Sequence, residues 1–487
     1  MNSVNRTHLD LQAVARQIMQ EHGFQPDFPA PECAQLATIK NQSPASDGET
    51  VRDLRNLLWS SIDNDTSRDL DQIEVAERAS NGDVKIMIGI ADVDAYVAKQ
   101  TPLDQHAARE TTTVYTGVRN FPMLPDELST GVTSLLEEQD RAAVVIEFVA
   151  DPEGNLKSSD VYRATVRNKA QLQYNSVGAW LERTAVAPPK VAASTELQEQ
   201  LRLQDDVAQR LKQQRYQHGA LNLQTDEVHP LILNEQVVDV VKQQKNHATD
   251  LIEDFMVAAN GVVARFLENV SSLRRIVRTP KRWDRIVALA ASKGETLPPQ
   301  PDSKALNDLL LRRKAADPDH FADLSLTVIK LIGPGEYVLE RAGEPAPGHF
   351  GLAVQDYTHS TAPNRRFADV VTQRLLKAKL AGQSNPYSDG ELTAIATNCT
   401  VKEDAARKVE REMSKRLAAV AMQHRVGEVF DAIVTGVTDR GTFVRVLQPH
   451  IEGLLAQGAH GLDVGDKVRA KLIRTDPQKG YIDFARV

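Results

Sequence analysis

Apolar residues near the start of the chain recur every three or four positions. In "LDLQAVARQIMQEHG", Leu9, Leu11, Val14, Ile18 and Met19 fall on one helical face that ends at Gly23. "PDFPAPE" breaks that helix and "NQSPASDGE" reads as a linker, so residues 1–46 form a short helical leader. A period of two follows. "QIEVAER" places Ile73 and Val75 on one face, and "VKIMIGIADV" places Val84, Ile86, Ile88 and Ile90 on one face. Asn81-Gly82 supplies the tight turn of the resulting hairpin. Residues 141–180 are similarly strand-forming until "QYNSVGAWLE" turns helical, and 195–217 is a Gln-rich helix. "HATDLIEDFMVAANGVVARFLEN" aligns Leu251, Phe255, Ala259, Val262 and Phe266 on one face, the mark of a core-packing helix. Helices dominate 281–330 and 364–425. From Gly427 the pattern changes to short alternating strands with glycine at the bends, which predicts a five-stranded barrel of oligonucleotide-binding type. The predicted class is α+β: a mixed α/β body over 47–426, built around a sheet flanked by helices, and an OB-type barrel over 427–487.

Composition adds limits. A length of 487 residues suggests roughly two to four domains. A hydrophobic content of 41% and a charged content of 25% are ordinary for globular protein. No apolar run approaches a membrane span, and the first residues lack the basic-then-apolar order of a signal peptide. Cys33 and Cys399 are too far apart in sequence to suggest a disulfide framework or a zinc knuckle, so a reducing cytoplasm is expected. The net charge of −8 conceals basic clusters at 271–285, 309–314, 364–367 and 406–416. Taken singly each one reads first as a solvated helix face; together, around an acidic site, they would suit a polyanion held against metal ions.

The stretch "SIDNDTSRDLDQIEV" concentrates Asp63, Asp65, Asp69, Asp71 and Glu74 just before the hairpin. Three readings compete. The acids form a solvated loop, or a calcium loop, or a magnesium site for phosphoryl transfer. With Asp63 as position 1, acids fall at 1, 3, 7, 9 and 12 of an EF-hand, but Arg68 occupies position 6, where glycine is needed, and strands follow. For two hard cations about 4 Å apart, several carboxylates are required. Asp69 and Asp71 flank Leu70, so an extended chain points both the same way, and Asp63 reaches them if the segment loops back.

The stretch, followed by "IADVDAYV", resembles the signature of the ribonuclease II (RNB) family of 3′-to-5′ exoribonucleases. Further segments resemble family motifs in the same order. They are "VYTGVRNFPMLPDELSTGVTSLLE", "RNKAQLQYNSVGAWLE", "RYQHGALNL", "DLIEDFMVAAN" and "YTHSTAPNRRFADVVTQRLL". The tail is similar to the S1-type domain that ends many members, so the resemblance covers roughly residues 50–487. It implies a magnesium site, with manganese as the alternative ion, at the end of a channel for single-stranded RNA. Asp63, Asp69 and Asp71 fall on three of the four metal carboxylates. The fourth position holds Gln72, which brings a carbonyl oxygen without charge, and Asp65 is a substitute within reach. Arg365 matches the arginine on the scissile phosphate, with Arg366 beside it. Tyr115 matches the tyrosine that stacks on RNA, Tyr174 the one beside the terminal nucleotide, and Leu223 the position of an aromatic clamp. Glu253 matches an acid near the terminal ribose. In the tail, Phe430 and Phe443 are candidates for base stacking, with the strand core as the equal alternative.

The implied function is hydrolytic release of 5′-nucleoside monophosphates from single-stranded RNA 3′ ends, in RNA turnover or in trimming of stable RNAs. No nucleotide cofactor and no membrane are expected, and a monomer is. The family usually carries two cold-shock domains ahead of its catalytic domain, and here only the short leader precedes it. The rival is a catalytically weakened RNA-binding paralogue, because one carboxylate has become Gln72.

Overall fold

The computed structural model describes residues 10–39, 51–224, 228–233, 236–242, 245–318, 320–344 and 347–487. Helix α1 (Leu11–Glu21) is capped by Asp10, whose carboxylate accepts the backbone N–H of Gln12 and of Ala13. The segment "PDFPAPE" ends α1 as expected, but its last residues open a second helix, α2 (Ala30–Ile39). Pro31 is tolerated there because the first turn needs no N–H donor. Leu36 and Ile39 of α2 enter the main core beside Leu103 and Ala107 of α3 (Pro102–Glu110). Residues 30–39 are therefore packed onto the body.

The main sheet comprises β1 (Trp59–Asp63), β2 (Gln72–Arg78), β3 (Val84–Ala91), β4 (Asp140–Ala150) and β5 (Leu156–Gln173), together with the two-residue strand Arg52–Asp53 paired with β5. The expected hairpin runs in register from Gln72 opposite Ile90 to Arg78 opposite Val84, with Gly82 at φ +89° in its turn. β5 is long enough to serve two neighbours. Its first part pairs antiparallel with β4, and its end runs parallel to β1, bringing Gln173 opposite Asp63. The sheet thereby curls back on itself. Alternation sends Val84, Ile86, Ile88 and Ile90 into the main core, and Ile73 and Val75 into a smaller one with Trp59 and Leu70. β1 was not anticipated, because its buried Ser60 and Ser61 break the apolar pattern.

After β5 come α4 (Tyr174–Leu181), α5 (Thr195–Gln217) and α6 (His247–Phe266). α6 buries Leu251, Phe255, Ala259 and Val262 against the sheet, with Phe266 partly buried at its end. Helices α7 (Trp283–Ser292), α8 (Ser303–Ala316) and α9 (Phe321–Ile332) share a separate core around Trp283, Leu310 and Phe321. α10 (Phe367–Leu380) and the 33-residue α11 (Asp389–Ala421) complete the body. Strands β6 (Val429–Thr438), β7 (Gly441–Val446), β8 (Ile451–Gln457), β9 (Lys467–Asp476) and β10 (Tyr481–Arg486) close into a barrel in the order β6-β7-β8-β10-β9, as expected. Leu417 and Ala421 at the end of α11, and Met422 after it, pack into the barrel's core. Among the described residues no helix is long and apolar enough to cross a membrane.

Candidate active site

Asp63 ends β1 and turns the chain back. Its Oδ1 accepts from the backbone N–H of Asn64 (2.7 Å) and from Ser67 Oγ (2.8 Å). Seven residues on, Leu70 is fully buried and donates its N–H to Ser134 Oγ at 2.9 Å. The acids on either side of it are thereby fixed. Asp71 is buried; its Oδ1 accepts the backbone N–H of Asn364 at 2.9 Å and its Oδ2 accepts from Arg365 Nε at 3.1 Å. Arg365 has a half-exposed side chain. Asn364 is itself fixed, since its Oδ1 accepts from Thr133 Oγ1 at 2.6 Å. Tyr115 is partly exposed and its phenol oxygen stands 3.5 Å from Asp69 Oδ2. Tyr174 opens α4 directly after Gln173, the register partner of Asp63.

The electrostatics follow from burial. Removal from water pushes the Asp71 carboxyl up to about 7, against the pull of Arg365. Burial also raises Asp69, with Arg365 opposing and Asp63 adding to the rise. The phenols of Tyr115 and Tyr174 are raised, first by burial and then by the neighbouring carboxylates. Desolvation works against charge on Arg365, but Asp71 foremost among its anionic neighbours outweighs it and holds the guanidinium firmly protonated. Glu74 is fully buried with neither oxygen hydrogen-bonded, and its carboxyl is held well above the usual range, chiefly by burial.

Among the described residues no three His, Cys, Asp or Glu side chains converge as a metal-binding group. Both oxygens of Asp71 are engaged by Asn364 and Arg365 in this arrangement. The donor set nonetheless suits a hard cation. It is made of oxygen alone, and the proton affinity of buried Asp71 is the charge deficit that a divalent ion relieves. Gln72 is buried as the first residue of β2, and Asp65 is exposed on the loop.

Other expected residues lie elsewhere. Arg366 donates to Asp369 Oδ1 at 2.8 Å, within the first turn of α10, and so braces the Arg365 loop. Glu253 is exposed on the polar side of α6 and pairs with Lys245 at 2.6 Å. Leu223 is partly buried against the α7–α9 core, because an aliphatic side chain there gains more from apolar contact than from solvent. Phe430 is not a stacking platform: it is 6% exposed and meets Phe484 edge-on inside the barrel. Alternation along β6 turns it inward. Phe443 is half-buried on the outer side of β7, two residues from Arg445, which grips Asp323 of α9 through two 2.8 Å bonds. Sequence reasoning missed Ser134 and Asn364 as determinants of the site. Both lie inside quoted motifs, but nothing in the spacing showed that they hold Leu70 and Asp71.

The RNB domain model matches residues 51–382, and the model of the RNase II-type exonuclease C-terminal S1 domain matches 428–487. Ribonuclease R of Thermotoga maritima is 30% identical over 479 residues, an alignment that covers 90% of this chain and 65% of that protein. This chain therefore spans less than two thirds of that relative's length. A solved structure of Mycoplasma genitalium RNase R in complex with ribose methylated single-stranded RNA aligns with a TM-score of 0.85 at 22% identity, over 98% of this chain and 78% of that one. Yeast Ssd1, a pseudonuclease, aligns with a TM-score of 0.72 at 17% identity, over 91% and 55%. One fold thus serves both kinds of protein.

Proposed function

The chain belongs to the RNB-domain family, and from that premise we propose that it is a hydrolytic 3′-to-5′ exoribonuclease acting on RNA with a single-stranded 3′ end. The observation that carries this reading is the pairing of buried Asp71 with half-exposed Arg365, residues 294 apart in sequence. A purely structural ion pair has no need of a half-exposed arginine beside two tyrosines and two further aspartates. Asp63, Asp69 and Asp71, with the Gln72 carbonyl, are the residues that would hold magnesium or manganese, which supplies an activated water and neutralises phosphate charge. Arg365 places positive charge where the phosphate oxygens become more negative during attack. Tyr115 offers an exposed ring to a base, and Tyr174 stands within the electrostatic reach of Asp63. The products are 5′-nucleoside monophosphates, and the substrates are RNAs undergoing turnover or 3′ trimming.

The test is incubation with 5′-labelled single-stranded RNA in magnesium, manganese or chelator. Stepwise shortening in metal but not in chelator is the expected result. Tight binding of RNA that stays intact in every condition would instead establish the weakened paralogue that Gln72 invites.

A further inference from the structure

Tyr115 stands on a minimal hairpin. Val114 pairs with Phe121 and Tyr115 with Asn120, two residues per strand. Such a hairpin has too little pairing to hold its own shape in water. Its outer side carries the exposed Tyr115 ring, while its inner side is fully packed, with Val114 0% and Phe121 3% exposed. They share one apolar cluster with residues of α1 and α11. Ala15, Ile18, Met19 and Phe24 form one apolar cluster with Val114 and Phe121, backed by Val409 and Met413 of α11. Polar ties fix that position from three sides. His22 Nε2 lies 3.0 Å from Glu412 Oε1, and the Gln25 N–H donates to Glu110 Oε2 at 2.9 Å. Lys402 Nζ donates to the Gly23 carbonyl at 2.6 Å and covers the Phe24 ring at 4.3 Å. The hairpin is thus held between α1 and α11, with the Tyr115 N–H bonded to Glu410 at 3.0 Å.

We propose that α1 and Phe24 are a positioning element for Tyr115, holding its ring over the active-site entrance from behind the hairpin. This rests on the exoribonuclease reading above. Truncating Ile18 and Phe24 loosens the apolar cluster that holds Val114 and Phe121, and so short a hairpin has too little pairing of its own to keep its place. The ring is displaced relative to Asp69 while Asp71 and Arg365, held by other elements, stay in place. The effect therefore falls on RNA engagement and spares the chemical step.

The experiment compares the full chain with Ile18→Ala/Phe24→Ala, Tyr115→Ala and the triple variant, on an unstructured oligoribonucleotide. Ile18→Leu is the conservative control, and each variant's melting temperature is measured. The leader variant is expected to raise KM about tenfold, the size of one lost base stack, with kcat nearly unchanged. Tyr115→Ala should show the same split, the triple variant should be no worse than Tyr115→Ala, and Ile18→Leu should behave as wild type. Full additivity in the triple variant, or a lowered melting temperature with KM unchanged, overturns the inference while the function stands. A wild-type chain that shortens no RNA overturns the exoribonuclease reading, and the inference with it.

Discussion

Arg365→Ala separates two consequences of one contact. If the guanidinium faces the scissile phosphate, its removal should slow turnover about 100- to 1,000-fold, the effect of losing a donor worth about 2.7–4 kcal/mol at a developing anion. The second consequence needs no RNA. Asp71 is 2% exposed and its carboxyl is raised from 3.8 to about 7, chiefly by burial, with Arg365 pulling the other way. Between those two values the folded chain holds a proton that the unfolded chain has released, so stability falls as pH rises through this window. At 1.36 kcal/mol per unit, the loss is about 4 kcal/mol once pH exceeds 7. Without Arg365 the carboxyl rises further, so the loss continues above pH 7, where the wild type has levelled off. The stability deficit of Arg365→Ala should therefore be larger at pH 8.5 than at pH 6, as read by urea denaturation in chelator. Arg365→Lys should flatten that dependence by restoring a charge, yet stay slow because it lacks the planar fork. A kcat within threefold of wild type, or a deficit that does not grow with pH, refutes the assigned contact.

Asp71→Asn should abolish shortening of labelled RNA while raising the metal-free melting temperature at pH 8, since it removes a buried charge; a lowered melting temperature would show that the carboxylate is a structural anchor. Phe430→Ala should destabilise the barrel by about 3–5 kcal/mol in chemical denaturation. Phe443→Ala should leave the barrel folded and weaken RNA binding by about 1–3 kcal/mol in a fluorescence titration if its ring stacks on a base. Glu253→Ala should leave the rate and the preference for RNA over DNA within twofold of wild type, because its charge is already paired with Lys245 in solvent.

Much of this architecture was written in local patterns. The β2–β3 hairpin, the buried face of α6 and the closed C-terminal barrel each follow from a period of two or of 3.6 with the right turn residues. The misses share a cause in long-range packing. Ser60 and Ser61 spoil the apolar signature of β1, and only pairing with β5 makes them strand residues. α2 opens on a proline-rich stretch that reads as a break, and is held by contacts with α3 that lie far along the chain. At the site, the spacing of Asp63, Asp69 and Asp71 exposed the acids. It could not reveal that Asp71 closes on Arg365 and Asn364, because that contact exists only once α10 has docked. For Phe430, base stacking and the strand core are equal readings of the sequence, and the burial of its ring against Phe484 decides for the core: position on a strand fixes which face a ring takes.

Helix α11 also acts as a molecular ruler. Its 33 residues span about 50 Å at 1.5 Å per residue, from the body to the core of the barrel. Along that length it meets the Tyr115 hairpin through Glu410, and near its end Arg416 donates to the Gln478 carbonyl in the barrel's last turn. One residue inserted between those two points would rotate everything beyond it by about 100° and advance it 1.5 Å. Leu417 and Ala421 would then face water and the barrel would lose its seat. Natural variation in this helix should accordingly come in steps close to whole turns, which makes helix length a more sensitive mark of a shared barrel placement than residue identity is.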